Sequence, residues 1–350
     1  MKISFKLLLL SICVIIIGTS FVGCNKNYSE EISFFNYGEN IDEETIKEFE
    51  KQYGIKVNVE TFDDMETMYQ KVSNSGVKYD VILVSDALMP RMIKNNLVQE
   101  LNKDNIPNIS QMDEDYLNLD IDPGNKYSVP YMFGTVGLIY NKDVVKEDVD
   151  SWDILWDEKY KNRIFMFDTY RDTLGAALKK LGYSLNSENP KEIEEAKELL
   201  LEQRKLTNPV YVVDEVKDNM ITGEKMLAAV WSGDAIYIMN ENPDMKYVIP
   251  EEGSNKWVDA LCIPKDAPNK AGAEAFNNFL CDPENAKENV DYIGYSTPNT
   301  AAYDLLDDET KNNPAAYPSD SILDKCVLFT NLNQETLKLY ESAFTEVLSQ

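Results

Sequence analysis

The stretch EISFFNYGENIDEETIKEFEKQYGIKVNVETF, Glu31 to Phe62, decides the fold class. EISFFN reads as a strand. A helix follows, with Asp42 placed to cap its start and Gly54 its end. Ile46, Phe49 and Tyr53 recur at helical spacing and predict its inward stripe. IKVNVETF is the next strand. Strand–helix alternation of this kind signals a parallel-type α/β sheet, and it continues outward. A short helix around Met65 to Val72 leads to YDVILVS, a buried strand over Asp80 to Val84, and a helix is expected over Leu88 to Asn95. TVGLIYN is expected as a strand after a turn at Gly134. SWDILW opens a helix capped by Ser151, NRIFMF is a strand, and DTLGAALKKLG is a helix ended by Gly182. NPKEIEEAKELLLEQRK is a long helix with proline near its start. MLAAVW and KYVI are further strands, and NQETLKLYESAFTEVLSQ is a terminal helix.

At 350 residues the chain exceeds what one core usually serves, so about two domains are expected. Lys and Arg total 34 against 61 Asp and Glu, a net charge of −27. Nucleic acid is therefore excluded as a partner, because phosphate binding needs a basic footprint; such a surface attracts cations instead. There is no histidine, which removes Ser-His-Asp and Cys-His chemistry.

The N-terminus carries an address. Lys2 and Lys6 precede an apolar run from Leu7 to Ile17, too short for a comfortable membrane span and shaped like a secretory signal. The ending Phe21-Val22-Gly23-Cys24 resembles a bacterial lipobox, with Phe21 where leucine is usual. The resemblance implies a signal peptide over 1–23, a lipidated Cys24 and a short tether over 24–30, on the extracytoplasmic face of the bacterial membrane. Removing residues 1–23 takes away two lysines and no acid, moving the net charge from −27 to −29. Cys262, Cys281 and Cys326 then remain besides Cys24, an odd set with no framework spacing, and each is expected to be a small apolar packing residue.

Ligands of open α/β sheets sit at the carboxyl ends of strands. Asn36 to Glu39, Ser85-Asp86, Asp168 with Asp172 one turn on, and Trp231 to Asp234 all stand at such ends. In KWVDALCIP, Trp257 and Asp259 share one face of a strand with Leu261 and Ile263. An overhanging strand end explains that aspartate without a ligand; an organic cation, which wants both a π-face and a carboxylate, explains it with one. Together these strand ends describe an acidic, aromatic-lined cleft between two α/β lobes.

The segments FEKQYGIKVNVETF, SVPYMFGTVGLIYN, SWDILWDEKYK, ALKKLGYSLNSENPKEIEEA, KWVDALCIP and IGYSTPN occur in the order and spacing of one family. Along nearly its whole mature length the chain resembles the spermidine/putrescine-binding proteins of polyamine ABC transporters. The resemblance implies a type II periplasmic-binding-protein fold: two α/β lobes, joined by a hinge, that close on a ligand in the cleft between them. It implies one lobe from 31–134 with about 258–303, and another from about 135–257 with 304–350. It also implies a monomer with no cofactor, no metal and no catalysis, working with the permease subunits of an ABC importer.

The family's binding positions carry over residue by residue. Its aromatic walls match Trp231, Trp257 and Tyr295, with Tyr37 where tryptophan is frequent. Its acids match Asp259, Asp172 and Asp168, Thr169 facing one acid position; Glu39 and Ser85 match first-lobe polar positions, and Asp214 aligns in a helix-entry turn. Three positions depart: Asn40 replaces a tyrosine, Ala87 an aromatic and Phe329 a glutamine. Two other functions fit the composition. One is a binding protein for another organic cation; the other is a glycosidase using a carboxylate pair.

Overall fold

In the computed structural model, which describes residues 28–350 except 39 and 75, the opening unit forms as the sequence implies. Strand β1 (Glu30–Tyr37) lies parallel to β2 (Ile55–Phe62), and helix α1 (Glu43–Tyr53) connects them. The Asp42 carboxylate accepts from the Glu44 N–H, and Gly54 ends the helix at φ +67°, a left-handed turn that glycine makes without steric cost. The buried face departs from the expected stripe. Phe49 is buried, but Tyr53 is 37% exposed and stacks on Phe49 at 4.7 Å. Glu50 is buried instead, because three donors satisfy it: Tyr28 Oη at 2.6 Å, Lys56 Nζ at 2.9 Å and the Val57 N–H at 3.1 Å.

Helix α2 (Met65–Asn74) leads to β3 (Val81–Ser85), parallel to β1, and then to the short helix α3 (Met89–Lys94). Strand β4 (Ser128–Asn141) follows and links the two halves of the molecule. The second half is built from β5 (Ile164–Phe167), α4 (Tyr170–Lys180), α5 (Pro190–Thr207), β6 (Val210–Val212), α6 (Val216–Ile221), β7 (Leu227–Trp231), α7 (Ser232–Glu241) and β8 (Met245–Val248). Strand β9 (Lys256–Cys262) returns to the first half between β3 and β4, followed by α8 (Lys270–Leu280) and α9 (Pro283–Ile293). The C-terminal helix, Gln334–Leu348, packs on α4 and α5.

The strand order is β2-β1-β3-β9-β4-β7-β5-β6, with β8 also on β4. Parallel pairing holds at β1–β3 and β5–β7, while every pairing of β4 and β9 is antiparallel. The expected turn at Gly134 does not occur. β4 runs through it for fourteen residues, pairing with β9 from Ser128 to Thr135 and with β7 from Val136 to Tyr140. A Cβ at position 134 would lie 2.4 Å from Trp257 Cζ2 and 2.8 Å from Ser232 Oγ. The glycine is there for the close approach of an indole, not for a bend.

Apolar side chains gather on either side of this crossing. Ile32, Phe34, Leu83, Met132, Leu261 and Phe276 belong to the first lobe's core. Leu138, Trp152, Ile164, Leu174, Leu227 and Phe344 belong to the second lobe's, with a third cluster around Ile139, Phe165 and Ile236 beside them. Cys262, Cys281 and Cys326 are buried and free. Among the described residues no helix is long and apolar enough to cross a membrane.

Candidate ligand-binding cleft

The two lobes meet at strand ends that carry aromatic and acidic groups. β1 ends at Tyr37, whose ring lies edge-on to Phe62 at 5.4 Å. β3 ends at Ser85, paired across the sheet with Asp259 of β9, and the Asp86 N–H donates to Val258 O at 2.9 Å. Two residues before Asp259, Trp257 meets Tyr295 edge-on, with ring centroids 5.0 Å apart at 87°. From the second lobe, β7 delivers Trp231, 4.9 Å from Phe167. Helix α7 begins immediately afterwards and places Asp234 in its first turn. Asp172 is in the first turn of α4, where it accepts from Thr169 Oγ1 at 2.7 Å with the Trp231 indole beside it. Both acids suit a helix N-terminus, whose free N–H groups favour negative charge.

The electrostatics show which groups share one space. Burial raises the Tyr37 phenol, and Asp214, Asp259, Asp172 and Asp234 raise it further. Burial likewise raises Tyr295, followed by Asp234, Asp259, Tyr37 and Asp214. Tyr37 and Tyr295 therefore lie amid acids drawn from both lobes. The Asp259 carboxylate makes no hydrogen bond or ion pair with any described residue, and burial alone pushes it up to about 7. Asp234 is pushed up to about 6, by burial first and then by Asp214, against the pull of Lys217. Asp172 and Asp86 are also raised, mainly by burial. Several buried polar atoms here have no partner: both side-chain heteroatoms of Asn36, Asp86 Oδ2 and Trp257 Nε1. A buried group without a partner is costly to a fold, and costs least where a ligand supplies one.

The expected site residues are distributed unevenly. Tyr37, Ser85, Asp172, Trp231, Trp257, Asp259 and Tyr295 stand around the interlobe cleft. Asp168 is exposed, with no hydrogen bond to its carboxylate. Glu39 and Cys24 lie outside the described residues. Asn36, Asp86 and Asp234, which the sequence offers as strand-end groups but which are not among the family's carried-over binding positions, join the group. Beside Ser85 and Ala87 a cavity of about 580 Å³ opens between the lobes, bordered by Arg91, Tyr170 and Arg171. Among the described residues no cluster of three or more acids or cysteines is arranged to hold a metal ion.

The comparisons with known proteins agree on one family. Residues 44–318 match the family described as bacterial extracellular solute-binding protein. The chain is 37% identical over 289 residues to the spermidine/putrescine-binding periplasmic protein of Escherichia coli, covering 81% of this chain and 82% of that one. It is 33% identical over 334 residues to the putrescine-binding periplasmic protein SpuD of Pseudomonas aeruginosa, covering 90% and 91%. Among solved structures, the spermidine/putrescine ABC transporter substrate-binding protein PotD of Streptococcus pneumoniae superposes with a TM-score of 0.83 at 37% identity, covering 92% and 99%. The TpPotD lipoprotein of Treponema pallidum superposes at 0.82 with 27% identity, covering 91% and 99%. These likenesses are to two-lobed type II periplasmic binding proteins, and the fold expected from the sequence is that fold.

Proposed function

The chain belongs to the bacterial extracellular solute-binding protein family, and from that premise we propose that it captures polyamines of the spermidine and putrescine class and delivers them to an ABC importer. Its action is binding, without catalysis, as a monomer that meets the importer's permease subunits. The observation that carries this reading is Asp259: a carboxylate with no protein partner, two residues from an indole on the same strand, in the cleft between the lobes. A polyamine is an alkyl chain with protonated amines. Its methylenes suit the flat walls of Trp231, Trp257, Tyr37 and Tyr295, and its ammonium groups suit Asp259, Asp172 and Asp234. A cation over an indole face contributes about 2 kcal/mol when desolvated. Ser85 and Asp168 are assigned to the rim of the same site, and Glu39 is assigned a ligand contact on the strength of the family resemblance alone. One lobe comprises 31–134 with about 258–303, the other about 135–257 with 304–350, hinged where β4 passes from β9 to β7.

A ligand that binds only the folded state adds about 2.7 kcal/mol of stability at a hundredfold excess over Kd. Millimolar spermidine or putrescine should therefore raise the melting temperature of ligand-free protein, while NaCl of equal ionic strength should not. No specific shift with any polyamine would reject the function.

Affinity should also depend on pH. An ammonium contact requires the ionised carboxyl, and Asp259 titrates near 7 and Asp234 near 6 in the folded protein. Ligand amines, alkylammonium groups like that of lysine, carry their protons through most of the range from pH 5 to 8. Below pH 7 binding must expel protons, and affinity should fall by about tenfold per pH unit for each linked group. In the unliganded fold these two carboxyls have the opposite effect. Asp259 and Asp234 titrate above the unfolded carboxyl value of about 3.9, so the unfolded chain loses those protons first and the contribution of these two groups to stability declines from about pH 4 to pH 7. Calorimetry from pH 5 to 8 measures the first trend; a flat affinity profile would remove Asp259 from the ammonium contact.

Cys24 is proposed as the lipid anchor, on the strength of the Phe-Val-Gly-Cys ending after an apolar segment and of a structural relative that is itself a lipoprotein. The Cys24→Ala protein should leave the membrane fraction. Equal retention of variant and parent would overturn the anchor.

A further inference from the structure

The cavity beside Ser85 and Ala87 differs in chemistry from the acidic strand ends it adjoins. It holds about 580 Å³, within the range of small-molecule sites. Ser85 marks the boundary. It lines the cavity, and it stands directly opposite Asp259 in the antiparallel pair of β3 and β9. Residues paired in this way send their side chains from the same face of the sheet, with Cβ atoms about 5 Å apart. The cavity therefore opens within one side chain's width of Asp259.

Ala87 widens the opening. Where the family resemblance implies an aromatic, a methyl group lines the wall. Leu88 from the first lobe, with Tyr170, Leu332 and Leu337 from the second, gives the cavity apolar surface. Its charges run against the rest of the molecule. Arg91, Lys94, Arg171 and Lys338 border it with Glu66 and Glu341, four cations to two carboxylates, in a chain of net charge −27. Glu66 is held by Arg91 at 2.6 Å. Arg171 donates to neutral oxygens, Thr330 O at 3.2 Å and Asn186 Oδ1 at 2.8 Å. Lys94 and Lys338 make no ion pair with a described residue. An ammonium that passes Ser85 thus leaves carboxylates behind and meets surplus positive charge. A neutral group meets no such repulsion, and apolar wall favours it.

We propose that this cavity is an acyl subsite. The ligand is held by its free ammonium groups on the Asp259 side, and a neutral N-acyl arm lies in the cavity. Mono-N-acylated polyamines are then bound, while a tetraamine of the same reach is disfavoured. Selection of this kind combines room for one ligand with a repulsive element against the other. The inference rests on the polyamine reading.

The test is titration calorimetry at low ionic strength with spermidine, spermine and mono-N-acetylspermine. The last two extend spermidine by arms of similar reach, one charged and one neutral. Wild type should bind mono-N-acetylspermine within threefold of spermidine and at least tenfold more tightly than spermine. Ala87→Tyr fills the cavity; it should lose tenfold or more for mono-N-acetylspermine and less than threefold for spermidine. Lys94→Glu should gain threefold or more for spermine alone. Lys94 is exposed, so this second variant keeps the test open if the tyrosine variant folds poorly. Spermine bound as tightly as its acetylated form, or Ala87→Tyr changing spermidine and mono-N-acetylspermine equally, would overturn the subsite alone. Wild-type protein that binds none of the three amines would overturn the polyamine reading, and this inference with it.

Discussion

Asp259→Asn should lower polyamine affinity by about 30-fold or more while leaving the unliganded protein as stable as before, or more so. The substitution keeps the shape of the side chain and removes its charge. Truncating one partner of a buried charge pair costs about 2–5 kcal/mol, part of which is the ammonium left without a counter-ion; each 1.4 kcal/mol is tenfold in affinity. Removing a carboxylate that has no protein partner, by contrast, relieves the empty fold of an uncompensated charge. The two effects therefore run in opposite directions on one variant. A strand end that merely overhangs solvent predicts neither. Affinity within threefold of wild type, measured by calorimetry beside a melt of the ligand-free protein, would falsify the role given to Asp259.

The opening strand–helix–strand unit was legible because its signals are local. Asp42 and Gly54 act within one turn of their own positions, and Phe34-Phe35 of β1 and Val81 to Val84 of β3 are apolar runs whatever their partners. Gly134 was misread because its meaning is not local: the atom that forbids a side chain there belongs to Trp257, more than a hundred residues away in sequence. Tyr53 and Glu50 exchanged their expected places for a similar reason, since the donors that make Glu50 buriable come from Tyr28, Lys56 and Val57. Among the acids, periodicity and resemblance pointed to Asp172 and Asp259. Asp86 and Asp234 stood in the sequence only as acids at strand ends; what marks them further is the charge of Asp259 or Asp214 brought alongside by another element, and that needed the fold. Side-chain chemistry at strand ends can be read from a sequence; which strand ends face one another cannot.

Gly233→Ala should weaken polyamine binding by roughly 5- to 150-fold with no loss of ligand-free stability. A Cβ at position 233 would stand 2.0 Å from Tyr295 Cε1 and 2.2 Å from Cδ1, so the ring must move. Overpacking of this kind costs about 1–3 kcal/mol, which converts to that range of affinity. The contact crosses the cleft: Gly233 opens α7 of the second lobe, and Tyr295 packs against the first lobe's core beside Trp257. A parting of the lobes would remove the clash, and an open state would then carry none of its cost. Nor does the backbone object, because residue 233 has no positive φ and alanine is a better helix former than glycine by about 1 kcal/mol. On a closing hinge the penalty would thus fall on the closed, liganded form. A hinge that closes over its ligand predicts lost affinity with an unchanged or raised melting temperature for the empty protein. A contact that is only part of the fold predicts a lowered melting temperature with affinity intact, and that result would mean that Gly233 and Tyr295 do not separate when the site opens.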